Sequence, residues 1–320
     1  MNENFSNGLQ KLYNCLSKGV GVFMIPQDVK GVIDKEAKQI SMIELNGEIA
    51  DNVTELYNDS RQPLAEVGEL YKRTCSRVLY QEMRKQQNIE NIVSKAEDIL
   101  QNESEVSEEE VNQDWLMHFF NSVQDIGDED MQKLWGKVLA GEIKNPNSFT
   151  LRSLDTLSKI TKHEAILFEE LRPYIINYRG TLAILNIDEI NEKYNISYGK
   201  IVEIAECGLI DASGVMQLTL NVAEEYPLEL IYNMELLRSN NKERKEIKIP
   251  IYKLTQAGKD IFRVVSENYN ENYFKDVVQY LAQNNQEIIF TIHNIVNKSS
   301  VNIEYVSEGK EISVSEYNGG

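Results

Sequence analysis

From Asp114 to Ala165 the chain runs DWLMHFFNSVQDIGDEDMQKLWGKVLAGEIKNPNSFTLRSLDTLSKITKHEA, a dense helical core pattern broken by Pro146-Asn147-Ser148. Within it Met131, Leu134, Trp135, Val138 and Leu139 recur at three- and four-residue steps, the spacing of one buried helical face. Gly141 and Pro146 end that helix, and Leu151, Leu154 and Leu157 point inward from the next, which Ser148 can cap. Thr161 with Glu164 forms a capping box before Ala165, Phe168, Leu171 and Ile175. Ser107 with Glu110 reads as another, opening the helix of Trp115, Phe119, Phe120 and Val123. These signals predict a helical bundle over 106–180.

The preceding residues are helical as well. From Ile33, the positions Ala37, Ile40, Ile43, Gly47, Ala50, Val53 and Tyr57 mark one face. After the turn signal Asp59–Pro63 a second series runs through Val67, Leu70, Tyr71, Cys75, Val78, Leu79 and Met83 to Leu100. The two predict a helical hairpin over 1–105. Helices of this length rise about 45–60 Å, more than one compact domain needs, so their apolar seams predict a homo-oligomer. Between Glu97 and Asp114 stand eight acidic residues and no basic one, a charge run that reads as a solvated connector.

Beyond Arg179 the pattern changes. Asn186 and Glu189 frame a short helix and Ser197 begins a second, reaching about Cys207. Alternation then marks Val215–Val222 and Ile247–Leu254. Helix, helix, strand, strand is the order of a winged helix, here over 181–266 with an insertion from Ala223 to Glu246. IVEIAECGLID and IPIYKLTQAGKDIF resemble segments that end the second helix and follow the wing in such domains. A helix from Asn272 to Gln283 and three alternating segments make a small β element over 267–320. The expected fold class is therefore mainly α: a long N-terminal helical hairpin, a central helical bundle, and a C-terminal winged-helix-like α+β region.

The 320 residues carry a formal charge of −18, which opposes non-specific attraction to nucleic acid or anionic lipid. Cys15, Cys75 and Cys207 lie far apart, and His118, His163 and His293 have no partner at metal-ligand spacing, so neither a disulfide framework nor a metal site is expected. A reducing cytoplasm fits this cysteine usage. Phosphate-loop, zincin and nucleophile-elbow patterns are absent, so no enzyme and no cofactor is expected. The apolar runs are too short for stable membrane insertion. Gly19–Ile33 is apolar and glycine-rich, and reads as a strand or loop docking on the bundle.

Two sets of polar residues stand out. Glu142 and Arg152 flank the Pro146 connection as either a ligand-gripping pair or, more simply, an ion pair that locks the angle between helices. Lys200 on the second winged-helix helix, with Lys242, Arg244 and Lys245 in the insertion, are the cations available to a partner or to DNA. Glu203 and Glu206 share the helix of Lys200 and would repel phosphates.

The Asp114–Ala165 run resembles the pattern DEEMQxLWAxILAGExxxPGSFSLRTLxxLxxLxxxEA of a bacterial family, domain of unknown function 2806. Arg84–Leu100, RKQQNIENIVSKAEDIL, is similar to its RxQxNIExIVxKAxxxL segment. Two departures are Gly136, where members often have Ala or Arg, and Asn147, where Gly usually follows the proline. The family implies no activity. The bundle also looks remotely like the abortive-infection alpha group, which implies a setting in bacteriophage defence. The functional expectation is a non-enzymatic, oligomeric interaction or scaffold protein with a protein partner. The alternative is a winged-helix DNA-binding regulator.

Overall fold

The computed structural model describes residues 6–19, 64–265, 267–298 and 303–312. The chain forms two compact units, Met1–Ser148 and Phe149–Gly320, so it divides at the Pro146 connection rather than in the acidic run. The expected first arm of the hairpin, residues 33–57, and most of Gly19–Ile33 lie outside the described residues.

The first unit contains α1 (Asn7–Gly19), α2 (Leu64–Leu100), α3 (Gln113–Val123) and α4 (Glu129–Lys144). Its core forms where the sequence is richest in aromatics. Trp135 is fully buried and meets Phe119 edge-on at 5.5 Å, and Phe119 stacks on Trp115 at 5.2 Å. From α2 only the later turns join in, burying Asn88, Ile92, Val93, Ala96 and Leu100. The contact is close because α4 carries Gly136: a Cβ there would stand 2.6 Å from Lys95 Cβ.

Local polar chemistry sets the helix starts. Asn112, not Ser107, caps α3 by accepting from the Trp115 N–H. Ser107 is held elsewhere, its N–H donating to the Lys144 carbonyl at 2.9 Å and its own carbonyl accepting from Lys11 Nζ at 2.7 Å. The acidic segment is thus tied down, with Glu103 also bonded to Gly8 N–H at 3.1 Å and paired with Lys144 at 2.5 Å. At Asn147 φ is +67°, a left-handed conformation open to Gly and Asn, which explains the exchange of one for the other after Pro146.

The second unit corrects the mainly-α expectation. It holds α5 (Leu151–Leu157), α6 (Lys162–Leu171), β1 (Ile175–Tyr178), β2 (Thr181–Leu185), α7 (Asp188–Lys193), α8 (Tyr198–Glu206), β3 (Ile210–Val222), β4 (Glu229–Tyr232), β5 (Glu235–Asn240) and β6 (Lys245–Leu254). It continues with α9 (Gln256–Phe262), α10 (Glu271–Asn284), β7 (Ile289–Lys298), β8 (Ile303–Tyr305) and β9 (Lys310–Ile312). Among the described residues the strands form one nine-stranded antiparallel sheet in the order β3-β6-β2-β1-β4-β5-β7-β8, with β9 also on β7.

Two stretches escaped the periodicity reading, and a third was read as strands but set apart from the main sheet. Pro173 stops α6, and Arg179-Gly180 then turn with φ of 45° and 82°, so Ile175 belongs to the β1–β2 hairpin and not to a bundle helix. The insertion from Ala223 to Glu246 supplies β4 and β5, which join β1 to β7. The closing segments are therefore part of the main sheet rather than a separate small β element. On this sheet α10 buries Tyr273, Phe274, Val277, Val278 and Leu281. Tyr232 stacks on Phe274 at 5.0 Å, accepts from the Asn270 N–H and donates to the Pro173 carbonyl; burial pushes its phenol up to about 12.

Two outcomes follow from the first unit. Gly136→Ala should lower stability by about 1–3 kcal/mol in chemical denaturation, because the backbones of α2 and α4 must separate to admit a methyl group. Glu97 is half-buried and accepts from the Tyr13 hydroxyl at 2.7 Å, and desolvation raises its pKa above the usual carboxylate value. The folded chain then holds that proton more readily than the unfolded chain. Its share of stability therefore grows as pH falls from neutral through the raised pKa toward the ordinary one. Glu97→Gln should raise the melting temperature at neutral pH and remove that gain on acidification.

Candidate functional site

The residues that the sequence grouped fall in different elements of the fold. Glu142 is buried in the first unit and accepts from the Asn147 N–H at 2.7 Å, holding the connection in shape, while Arg152 is exposed on α5 in the second unit. Met131, Trp135, Val138, Leu139 and Leu154 are buried as expected, but Leu134 is only half-buried and Leu151 is 45% exposed. The reason for Leu151 is a contact distant in sequence. Ser153 donates to the buried Asp260 carboxylate at 2.5 Å, which turns the Ser153–Leu154–Leu157 face inward and leaves Leu151 off it.

The cations do not form a patch. Lys200, in the first turn of α8, pairs with Glu170 at 3.5 Å. Lys242 and Arg244 are exposed in the turn before β6, and Lys245 pairs with Glu287. Lys245 lies opposite Val222, whereas α8 runs into Ile210 at the other end of β3, beside Leu254. That leaves about 30 Å of strand between α8 and the basic turn.

What the fold does assemble is a cleft on the exposed face of α8. Ser197 caps this helix, and Gly208, with φ of 81°, ends it. Thr255 Oγ1 donates to the Gly208 carbonyl at 2.6 Å and its N–H to the Leu209 carbonyl at 3.0 Å. Gly258 admits that carbonyl: a Cβ there would lie 2.0 Å from Leu209 O. The two segments that resembled winged-helix phrases are thus clasped to each other. The resulting cleft of about 470 Å³ is lined by Tyr198, Val202, Ala205, Glu206, Ile210 and Asp211 among others.

Tyr198, 68% exposed, stands as a ridge, with a second cleft of about 400 Å³ beyond it that includes Asp188, Glu192 and Tyr252. Glu203 is engaged by His163 at 3.0 Å. The outward strip of α8 therefore consists of Tyr198, Val202 and Glu206. Their i, i+4, i+8 spacing, opposite buried Ile201 and Ile204, was the signal available in the sequence.

Other polar groups have structural duties. Asp260, fully buried, also receives Gln256 at 2.7 Å and Arg263 at 2.9 Å, tying α5 to α9. His293 is buried in a clasp, its ring nitrogens 2.9 Å from Thr291 Oγ1 and from the Val306 carbonyl. Burial pushes the Cys207 thiol up to about 11, leaving it protonated at neutral pH. In the first unit a cleft of about 490 Å³ includes Lys11 and Cys15, but the Lys11 ammonium is engaged by the Ser107 carbonyl and burial lowers its pKa. Among the described residues no three His, Cys, Asp or Glu side chains converge as a metal site, and no helix is long and apolar enough to cross a membrane.

The geometry defines an α+β protein made of a helical unit and a unit built on one antiparallel sheet. A family model described as protein of unknown function (DUF2806) matches residues 72–278, and the chain belongs to that family. No curated protein and no solved structure matches it.

The clasp behind the cleft should be intolerant of side chains. Gly258→Ala must displace the Leu209 carbonyl and is expected to cost at least about 1–3 kcal/mol, with loss of protection of the Leu209 and Thr255 amides in hydrogen exchange.

Proposed function

We propose that this chain is a non-enzymatic interaction protein that engages a protein partner through the α8 face and associates with itself through the seam of α2. The observation that carries the first half is the makeup of that face: Tyr198, Val202 and Ala205 beside Glu206, with Lys200 already paired to Glu170. An exposed aromatic on an apolar cleft with an acidic rim suits a protein segment bearing apolar and basic side chains. The order α7, α8, β3, β6, with β2 beside β6, supports reading residues 181–266 as a winged-helix-like module. Its second helix offers duplex phosphates a carboxylate where a DNA reader would offer cations.

The α2 seam supports the second half. α2 rises about 55 Å. Along its first half Leu70, Val78, Leu79, Tyr80 and Met83 are all more than 40% exposed. A setting in bacteriophage defence follows only from the remote likeness to the abortive-infection group.

Fluorescence anisotropy with duplex DNA separates this reading from a DNA-binding regulator. The expectation is no binding tighter than the non-specific range, about 10⁻⁴ to 10⁻⁶ M at physiological salt. A sub-micromolar, salt-sensitive affinity lost on Lys200→Glu, or on reversing Lys242, Arg244 and Lys245, would install the regulator instead. For self-association, light scattering should give a multimer whose mass falls with Leu79→Glu and Met83→Glu together.

A further inference from the structure

β3 is the terminal strand of the sheet. It pairs with β6 along Met216–Val222 and, among the described residues, with no strand on its other side. Such an edge presents a row of N–H and C=O groups to any neighbouring strand, and proteins commonly blunt it with Lys, Pro or a short strand. β3 is thirteen residues long, and no Asp, Glu, Lys, Arg or Pro occurs between Asp211 and Glu224 in a chain whose formal charge is −18. A register shift between Asp211 and Met216 precedes the regular stretch and leaves Met216–Val222 in continuous ladder with β6.

The side chains on that stretch alternate cleanly. Gln217, Thr219 and Asn221 are exposed, Met216 and Leu218 are half-buried, and Leu220 and Val222 are buried. An antiparallel neighbour related by a two-fold axis at Thr219 would set Thr219 against itself, Leu218 against Leu220, Gln217 against Asn221 and Met216 against Val222. Every opposed pair then joins like with like, polar on one face and apolar on the other, as cross-strand pairing favours. A basic peptide would find no carboxylate along this edge. Two copies with net negative charge can meet along this edge without opposing like charges.

We propose that β3 pairs with β3 of a second copy of this chain, antiparallel across a two-fold axis at Thr219, extending the sheet through both protomers. The contact is isologous, so it closes at two copies. It is separate from the α2 seam and does not rest on it.

The test uses the full chain carrying Leu79→Glu and Met83→Glu, which silences the α2 seam, and reads mass by sedimentation velocity at tens of micromolar. The expected result is a dimer. Thr219 faces Lys248 of β6 within its own chain, so Thr219→Glu gains an opposite charge there while meeting its own like charge across the axis. Thr219→Glu should therefore weaken dimerisation at least about ten-fold, with an unchanged melting profile at concentrations dilute enough for both chains to be monomeric. Thr219→Lys should weaken it similarly, and an equimolar mixture of the two variants should return to a dimer. A monomer in the seam-silenced chain would overturn the proposal while leaving the α2 reading intact. So would a dimer indifferent to both substitutions, or a mixture that stays monomeric. In hydrogen exchange, amides of Met216–Val222 should gain protection with concentration in the parent chain and not in Thr219→Glu.

Discussion

The carbonyl of Leu209 is the point on which the second unit turns. It lies where α8 has ended and β3 begins, and it is received by the Thr255 N–H and by the open space over Gly258. A side chain at Gly258 would collide with it, so α9 can start directly against the α8–β3 junction only with glycine at that position. This contact sets the end of α8 against the end of β6. In doing so it fixes the angle at which Tyr198, Val202 and Glu206 face outward and shapes the cleft beside them. An analogous economy operates in the first unit, where Gly136 lets α4 meet α2 at backbone distance and so places Trp135 in the middle of the aromatic core.

Charge organises what these rigid elements present. Carboxylates are in excess over the whole sequence, and several cations lie beside one: Lys144 beside Glu103, Lys200 beside Glu170, Lys245 beside Glu287. Such exposed pairs contribute little to stability. The α8 strip combines apolar and acidic side chains, and the outer edge of β3 is uncharged from Ala212 to Ala223.

Much of the first unit was legible in the sequence, because its signals are local. The stripe of Met131, Trp135, Val138 and Leu139 repeats at the helical period, and in the second unit the Thr161–Glu164 box was legible for the same reason, since it spans a single turn. The second unit was misjudged where the deciding contacts are distant. β1 and β2 are short strands hidden between Pro173 and Asn186, and β4 and β5, which pair with each other across a tight turn, read as an insertion because their place in the sheet depends on β1 and β7, far away in sequence. Leu151 failed for a related reason. Its helix is rotated by the hydrogen bond from Ser153 to Asp260, a partner more than a hundred residues on that no local pattern reveals.

By itself the sequence determined that the first unit is helical, which face of the Trp135 helix is apolar, that Asn147 could replace a glycine, and that the chain carries excess negative charge. Those properties depend on side-chain type, backbone freedom and total charge, which act over a few residues or over the whole chain. Only the tertiary structure decided that nine strands make one sheet, that Tyr198 stands clear while Ile201 is covered, and that β3 ends the sheet with an uncharged edge. Strand partners and the exposed side of an element are set by hydrogen bonds and packing between segments remote in sequence, and these exist only once the chain has closed on itself.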